Sequence, residues 1–216
     1  MLESLSLGQG QGQGFNTMLK IEDTSNGIRI IGLNRPEKRN AIGVEMTLAL
    51  EAVLLKTKDE ASVRVIVFHG LGGHFCAGMD MKDFFDSSTR PADQLQRARV
   101  ATEHWRIKLL RTMPQKIITA VQGYCLGGAL PILAASTAVV ADRSAKLGLP
   151  EINFGFVPGG QIIKAVGEVM SPQGLAYAAL TGKSFDADQA QRWGLVSEVV
   201  VADPLQRALA LARALS

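Results

Sequence analysis

The sequence predicts an α/β fold, with short buried strands alternating with helices in one domain. Three observations carry this. Apolar runs of strand length at 63–68, 117–121 and 137–141 recur between segments whose apolar residues repeat at helical period. Twice, such a run leads through a glycine-containing turn into a helix-like segment: Phe75-Cys-Ala-Gly-Met-Asp80 before 81–85, and Gly123-Tyr-Cys-Leu-Gly-Gly128 before 129–136. A chain of 216 residues that is 47% apolar can bury one sizeable core. Alternation of this kind gives α/β layering through short crossovers.

Residues 1–16 contain Leu7-Gly-Gln-Gly-Gln-Gly-Gln-Gly14, too polar to bury a core, and are expected as a disordered leader. Strands at 18–22 and 27–33 flank the turn residues of 23–27 and read as a hairpin. The polar loop 34–40 precedes a helix at 41–56, then a buried strand at 62–69 and the loop 70–73. After the short helix at 81–85 comes a long one at 92–113, which Pro114 ends. The remaining order is strand 116–121, helix 127–136, strand 137–142, helices 158–169, 171–181 and 186–193, strand 195–201, and a helix from Pro204 to Leu215. The core is expected over 17–201, with 202–216 as a C-terminal helix.

A net charge of +3, with acids and bases interspersed and no Lys/Arg block, does not make a nucleic-acid surface. It suits a small polyanionic ligand. Cys76 and Cys125 lie in apolar surroundings, without a CxxC or a Cys/His cluster. A reduced, cytoplasmic protein without a metal site is expected. No apolar run approaches the ~20 residues needed to cross a bilayer, so no membrane partner is expected. The N-terminus lacks the basic-then-apolar order of a signal peptide.

The chemistry is concentrated at the two turns. Gly127 and Gly128 sit where a helix begins, and free N–H groups with partial positive charge point out of such an end. A Gly-Gly turn there also has a plain packing explanation. Glu151 follows Pro150 after a second apolar strand and brings a carboxylate to the region; an acid in a helix's first turn is its simpler reading. If the two turns are neighbours, the N–H groups of Met79 and Gly128 face one point. Two such donors and one carboxylate are the parts for chemistry at the carbon next to a thioester carbonyl. Asp80 reads best as a helix N-cap, and His69, His74 and His104 have no spacing of a metal or nucleophile relay. Ser136 has no partner histidine, so a serine hydrolase has little support.

Five motifs in register make the chain resemble the crotonase superfamily, the enoyl-CoA hydratases and isomerases, over 17–201. Leu33-Asn-Arg-Pro-Glu-Lys-Arg-Asn-Ala41 is similar to the family's first CoA-binding loop. Phe75-Cys-Ala-Gly-Met-Asp80 and Gly123-Tyr-Cys-Leu-Gly-Gly128 resemble the segments that give the two oxyanion N–H groups. Leu149-Pro-Glu-Ile152, with Gly155 and Pro158-Gly-Gly160, resembles the segment of the catalytic glutamate. Thr181-Gly-Lys183 and residues 190–196 also fit.

The resemblance implies a ββα superhelix that assembles as a trimer or dimer of trimers. It implies an acyl-CoA thioester as substrate and no separate cofactor. Glu151 is then the catalytic residue, with Met79 and Gly128 forming the oxyanion hole. Lys38, Arg39, Ala41, Ala77, Asp80, Met81, Lys82, Gly127, Pro131 and Pro150 are candidates for contact with CoA or acyl group. Two departures shape the expectation. Family hydratases carry a second glutamate where this chain has Pro131, and a single carboxylate fits double-bond migration better than hydration. The chain also stops after one helix, where family members continue for some tens of residues, so a shortened C-terminal region is expected. Local likeness at Trp105-Arg-Ile-Lys-Leu-Leu-Arg111, Glu151-Ile-Asn-Phe-Gly155 and Met79-Asp-Met-Lys82 to hydroxycinnamoyl-CoA hydratase-lyases keeps a hydratase or lyase as the alternative. Phe84 stands where those enzymes hold a phenol with tyrosine. A non-catalytic CoA-binding or interaction protein is the other alternative.

Overall fold

The computed structural model describes residues 15–216 apart from 87, 89 and 160. The expected leader lies outside the described residues up to 14, and its last two residues enter a short helix, α1 (Phe15–Met18). Strands β1 (Leu19–Asp23) and β2 (Ile28–Leu33) form the antiparallel hairpin, with Leu19 opposite Leu33 and Asp23 opposite Arg29. Helix α2 (Val44–Lys58) crosses to β3 (Val65–Gly70), parallel to β2. Helix α2 starts three residues later than expected because Ile42 is held in a bridge: its N–H bonds Gly78 O at 2.8 Å, and its carbonyl accepts Asp80 N–H at 2.9 Å.

Next come α3 (Met81–Phe85) and α4 (Ala92–Glu103), which runs through a π-helical stretch (His104–Leu109) into α5 (Leu110–Thr112). Met113 before Pro114 is extended at φ −62°, ψ 132°, as the residue preceding a proline prefers. Strands β4 (Lys116–Val121) and β5 (Tyr124–Leu126) lead into a 3-10 turn (Gly127–Ala129) and α6 (Leu130–Ala134). The pattern repeats with β6 (Ala138–Asp142), β7 (Lys146–Gly148), a second 3-10 turn (Pro150–Phe154) and α7 (Ile162–Gly167). Helix α8 (Pro172–Thr181), β8 (Phe185–Asp186), α9 (Ala187–Arg192), β9 (Glu198–Val200) and α10 (Pro204–Leu215) complete the chain.

Six strands form one sheet in the order β1-β2-β3-β4-β6-β9, parallel beyond the first hairpin. Each of β4 and β6 is followed by a short strand that belongs to a second row, β5-β7-β8. The bridges Ile42–Met79 and Cys76–Cys125 extend that row across the molecule. Long strand, short strand, helix is the repeating unit of a ββα superhelix. Both faces of the large sheet are covered, which explains the near-continuous apolar strands. Ile31, Ile66, Phe68, Ile117 and Val139 face the main core. Ile28, Ile30, Val65, Val67, Ile118 and Val140, one residue out of phase, face Ala208 and Ala212 of α10. Among the described residues no helix is long and apolar enough to cross a membrane.

Candidate active site

Three extended segments run side by side and carry the site. The segment 75–80 bonds the loop 39–42 on one flank, where Ala77 N–H donates to Arg39 O at 2.9 Å beside the two Ile42 bonds. On the other flank Phe75 N–H and Cys76 N–H donate to Gln122 O and Tyr124 O at 2.8 and 2.9 Å, and Leu126 N–H returns to Cys76 O at 3.0 Å. Gly78 O and Asp80 N–H both point at Ile42, so the Met79 N–H between them faces the opposite way. That is the side of the Gly127–Gly128 turn. A methyl group on Gly128 would lie 2.9 Å from Met79 Cγ, and one on Gly78 would lie 2.8 Å from Leu126 O and 3.6 Å from Gly128 N. Only glycine permits this approach, and Gly78 and Gly127 also take left-handed φ of 91° and 50°. Gly128 is in the first turn of its helical segment, where N–H groups lack partners within the helix.

Glu151 reaches the same turn from the second 3-10 segment. A methyl group on Gly127 would lie 2.6 Å from Glu151 Oε1. The other oxygen, Oε2, is buried and accepts no hydrogen bond among the described residues. Burial raises the Glu151 carboxyl above its ordinary pKa, with its own N–H and the charge of Arg106 pulling part of the way back.

Arg106 was not singled out as a site residue, yet it belongs here. The π stretch turns its nearly inaccessible guanidinium inward, where Nη1 donates to Met79 Sδ at 3.7 Å and lies 2.9 Å from where a Gly128 methyl would be. Burial pushes its pKa down to about 10, against the raising effects of Glu151 and Glu103. Sequence reasoning placed it within the likeness of 105–111 to hydroxycinnamoyl-CoA hydratase-lyases but gave it no role. Its direction depends on the local change of helical pitch, which has no sequence period of its own.

The other named residues divide by place. Asp80 caps α3, accepting Asp83 N–H at 3.2 Å, and its Oδ2 pairs with Arg35 at 2.7 Å. Burial would raise its pKa, but that N–H and Arg35 outweigh the effect and hold it below the usual value. Lys38 and Arg39 are exposed on the flanking loop, and the Arg39 guanidinium sits over the Tyr124 ring at 5.4 Å. Ala41 ends that loop, half-buried, and Ala77 adjoins it across the shared hydrogen bonds. Met81 and Lys82 are exposed in the first turn of α3, on the rim of the same segment. Pro131 is buried in the first turn of α6, where its missing N–H costs little, and Pro150 opens the Glu151 turn. Gly160 of the Pro158-Gly-Gly160 motif lies outside the described residues. Phe84 is buried with Val44, Leu95 and Ala98, in a cluster against which Met79 packs.

Asn40 also escaped notice. It is inaccessible, left-handed at φ 57°, and holds the flanking loop through Arg35 N–H at 2.8 Å, Leu71 O at 2.9 Å and His74 O at 2.7 Å. Cys76 and Cys125 are buried, and burial raises both thiols, Cys76 to about 12, which makes them packing residues. A hollow of about 640 Å³ bounded by Lys58, Arg64, Gln115, Lys116 and Leu215 contains none of the site residues. Among the described residues no three His, Cys, Asp or Glu side chains gather as a metal site would need.

The sequence profile described as enoyl-CoA hydratase/isomerase matches residues 23–216. The chain is 35% identical to a hydroxycinnamoyl-CoA hydratase-lyase of Pseudomonas fluorescens over 192 residues, covering 88% of this chain and 68% of that protein. It is also 35% identical to a mevalonyl-coenzyme A hydratase of Aspergillus fumigatus, over 82% of this chain and 64% of that one. The chain thus spans about two thirds of these relatives' length. Its fold matches Pseudomonas aeruginosa AtuE with a TM-score of 0.81 at 34% identity, covering 90% of this chain and 75% of that one. An enoyl-CoA hydratase from Bacillus anthracis matches with a TM-score of 0.82 at 26% identity, covering 92% of this chain and 76% of that one. A profile match over most of the chain, on a ββα frame, identifies the chain as a member of the enoyl-CoA hydratase/isomerase family, within the crotonase superfamily.

Proposed function

We propose that the protein is an acyl-CoA enzyme that moves a double bond through an enolate, using Glu151 as its single proton carrier. One observation carries this reading: the Glu151 carboxyl lies against Gly127 with a buried oxygen that accepts no hydrogen bond among the described residues. A buried carboxylate oxygen that no hydrogen-bond donor occupies is suited to receive a proton from carbon.

The thioester oxygen lies between the N–H groups of Met79 and Gly128. Each donor lowers the barrier to the enolate by on the order of 3 kcal/mol. With the carbonyl polarised, Glu151 removes a proton from C2 of a 3-enoyl thioester, and the electron pair spreads over the dienolate to C4. Returning the proton to C4 leaves the 2-enoyl thioester, so no water, metal or redox partner is consumed. Hydration is easiest with a second acid to handle water, and Pro131 supplies none. CoA runs along the loop of Lys38, Arg39 and Ala41, with Ala77, Asp80, Met81 and Lys82 on the opposite bank. A mildly basic surface favours its phosphates. The exposed apolar residues around the Glu151 turn and α8 are read as a contact between copies of the chain.

Hydration or lyase chemistry is the second reading, favoured by the identity to the hydroxycinnamoyl-CoA hydratase-lyase. Incubation with 2-hexenoyl-CoA and 3-hexenoyl-CoA, following migration and hydration products together, separates the two. Migration should dominate. Glu151→Gln should leave CoA-ester binding intact and lower turnover by at least about a hundredfold. Turnover by Glu151→Gln at the wild-type rate contradicts the reading.

A further inference from the structure

Arg106 has a position that the chemistry above does not use. It is a nearly inaccessible cation beside the turns that Glu151 reaches. Two features are independent of charge. A π-helical stretch interrupts an otherwise regular helix at His104–Leu109, a distortion that recurs at functional sites because it redirects side chains. The redirected side chain ends at the wall of the two turns, with Nη1 3.7 Å from Met79 Sδ and 2.9 Å from the place of a Gly128 methyl. Glu151 Oε1 closes the adjoining glycine from the other direction, 2.6 Å from the place of a Gly127 methyl. Consecutive glycines thus meet a buried cation and a partly buried carboxylate.

We propose that Arg106 is a positioning residue of this site that acts through Glu151, keeping the carboxylate ionised and ready to accept a proton where the chain carries Pro131 in place of a second acid. The inference rests on Glu151 being the proton carrier, as argued above. The charges around Arg106 are Glu103 from its own helix and Glu151 from the Pro150–Phe154 turn. Glu51, on α2, is committed to His104 and Arg97, and α6 presents only Leu130, Pro131, Ile132, Leu133 and Ala134. Arg106 lowers the Glu151 pKa that burial has raised. Loss of the cation therefore moves Glu151 toward its protonated form, and activity that needs the carboxylate starts at higher pH.

The experiment compares wild type, Arg106→Met, Arg106→Gln and Arg106→Lys. Two readouts are taken: the pH profile of 3-hexenoyl-CoA isomerisation, and the carboxyl titration of Glu151 by 13C NMR on glutamate-labelled protein. The neutral variants should shift the acid limb and the Glu151 titration upward together by about one pH unit, lowering the rate about tenfold on the acid side and recovering at higher pH. Arg106→Lys should restore most of both shifts. An unmoved Glu151 titration overturns the proposal, as does a rate loss equal at every pH. Failure of both neutral variants to fold also overturns it, since the role is then structural. Failure of the isomerase reading has its own signature, wild-type turnover by Glu151→Gln.

Discussion

At the residue scale the site is a matter of what cannot be added. Gly127 has a left-handed backbone, and a methyl there would meet Glu151 Oε1 at 2.6 Å. Gly127→Ala should cost about 1–2 kcal/mol in backbone strain. Its larger effect should be on turnover, down by about a hundredfold, because displacing the proposed proton carrier by a fraction of its contact distance spoils the reacting geometry. Denaturant midpoints and isomerisation rates measured on the same preparation separate the two effects. Glu151 carries the complementary conflict between stability and function. Its folded pKa lies above the unfolded value of 4.5, so folding favours the protonated form. The stability associated with that proton is fully present below pH 4.5 and is lost as pH rises through the folded pKa. Ionising this partly buried carboxyl therefore works against folding. Glu151→Gln should melt higher than wild type at pH values above the folded pKa, with the difference closing below pH 4.5. Calorimetry across that range checks the sign.

At the element scale, legibility followed length and periodicity. The strands at Ile28–Leu33, Val65–Gly70 and Lys116–Val121 were readable because six apolar-rich residues leave no other burial pattern. The second-row strands Tyr124–Leu126, Lys146–Gly148 and Phe185–Asp186 were not, since two or three residues define no period and their partners are distant in sequence. Helix α7 shrank to Ile162–Gly167 because Gln161 is left-handed at φ 61° and cannot extend it backward. Met79, Gly128 and Glu151 were legible as motifs, whereas Arg106 and Asn40 depend on a π turn and on a loop closed by distant carbonyls. The loop makes that dependence measurable. Asn40→Ala removes the acceptor for Arg35 N–H and the donors to Leu71 O and His74 O in an inaccessible place. Stranding buried polar groups there should cost about 2–4 kcal/mol in urea unfolding. CoA esters should also bind more weakly, because the same loop lines 75–80.

For the whole molecule, the ββα frame holds the turn proposed to carry the proton-transfer carboxylate at its surface. The turn Pro150–Phe154 has no buried residue, and Phe154 and Val157 are 67% and 63% exposed. It leans on α8, where Asn153 Nδ2 donates to Gly182 O at 3.1 Å and where Leu180 is 70% exposed. Phe154 and Phe156 stack at 6.4 Å, which joins two of the exposed apolar side chains close to Glu151 in the chain. Exposed patches of this kind are usually covered by another surface. If copies of this chain cover it, as read above, association and catalysis are coupled, since the interface would clamp the segment that aims the carboxylate. Leu180→Arg and Phe154→Arg should then convert an oligomer to monomers in sedimentation velocity. Both should also lower isomerase turnover while leaving the helix and sheet content seen by circular dichroism unchanged. Sedimentation of wild type as a monomer at working concentration contradicts the coupling, and full activity of a monomeric Leu180→Arg variant shows that the turn holds its geometry alone.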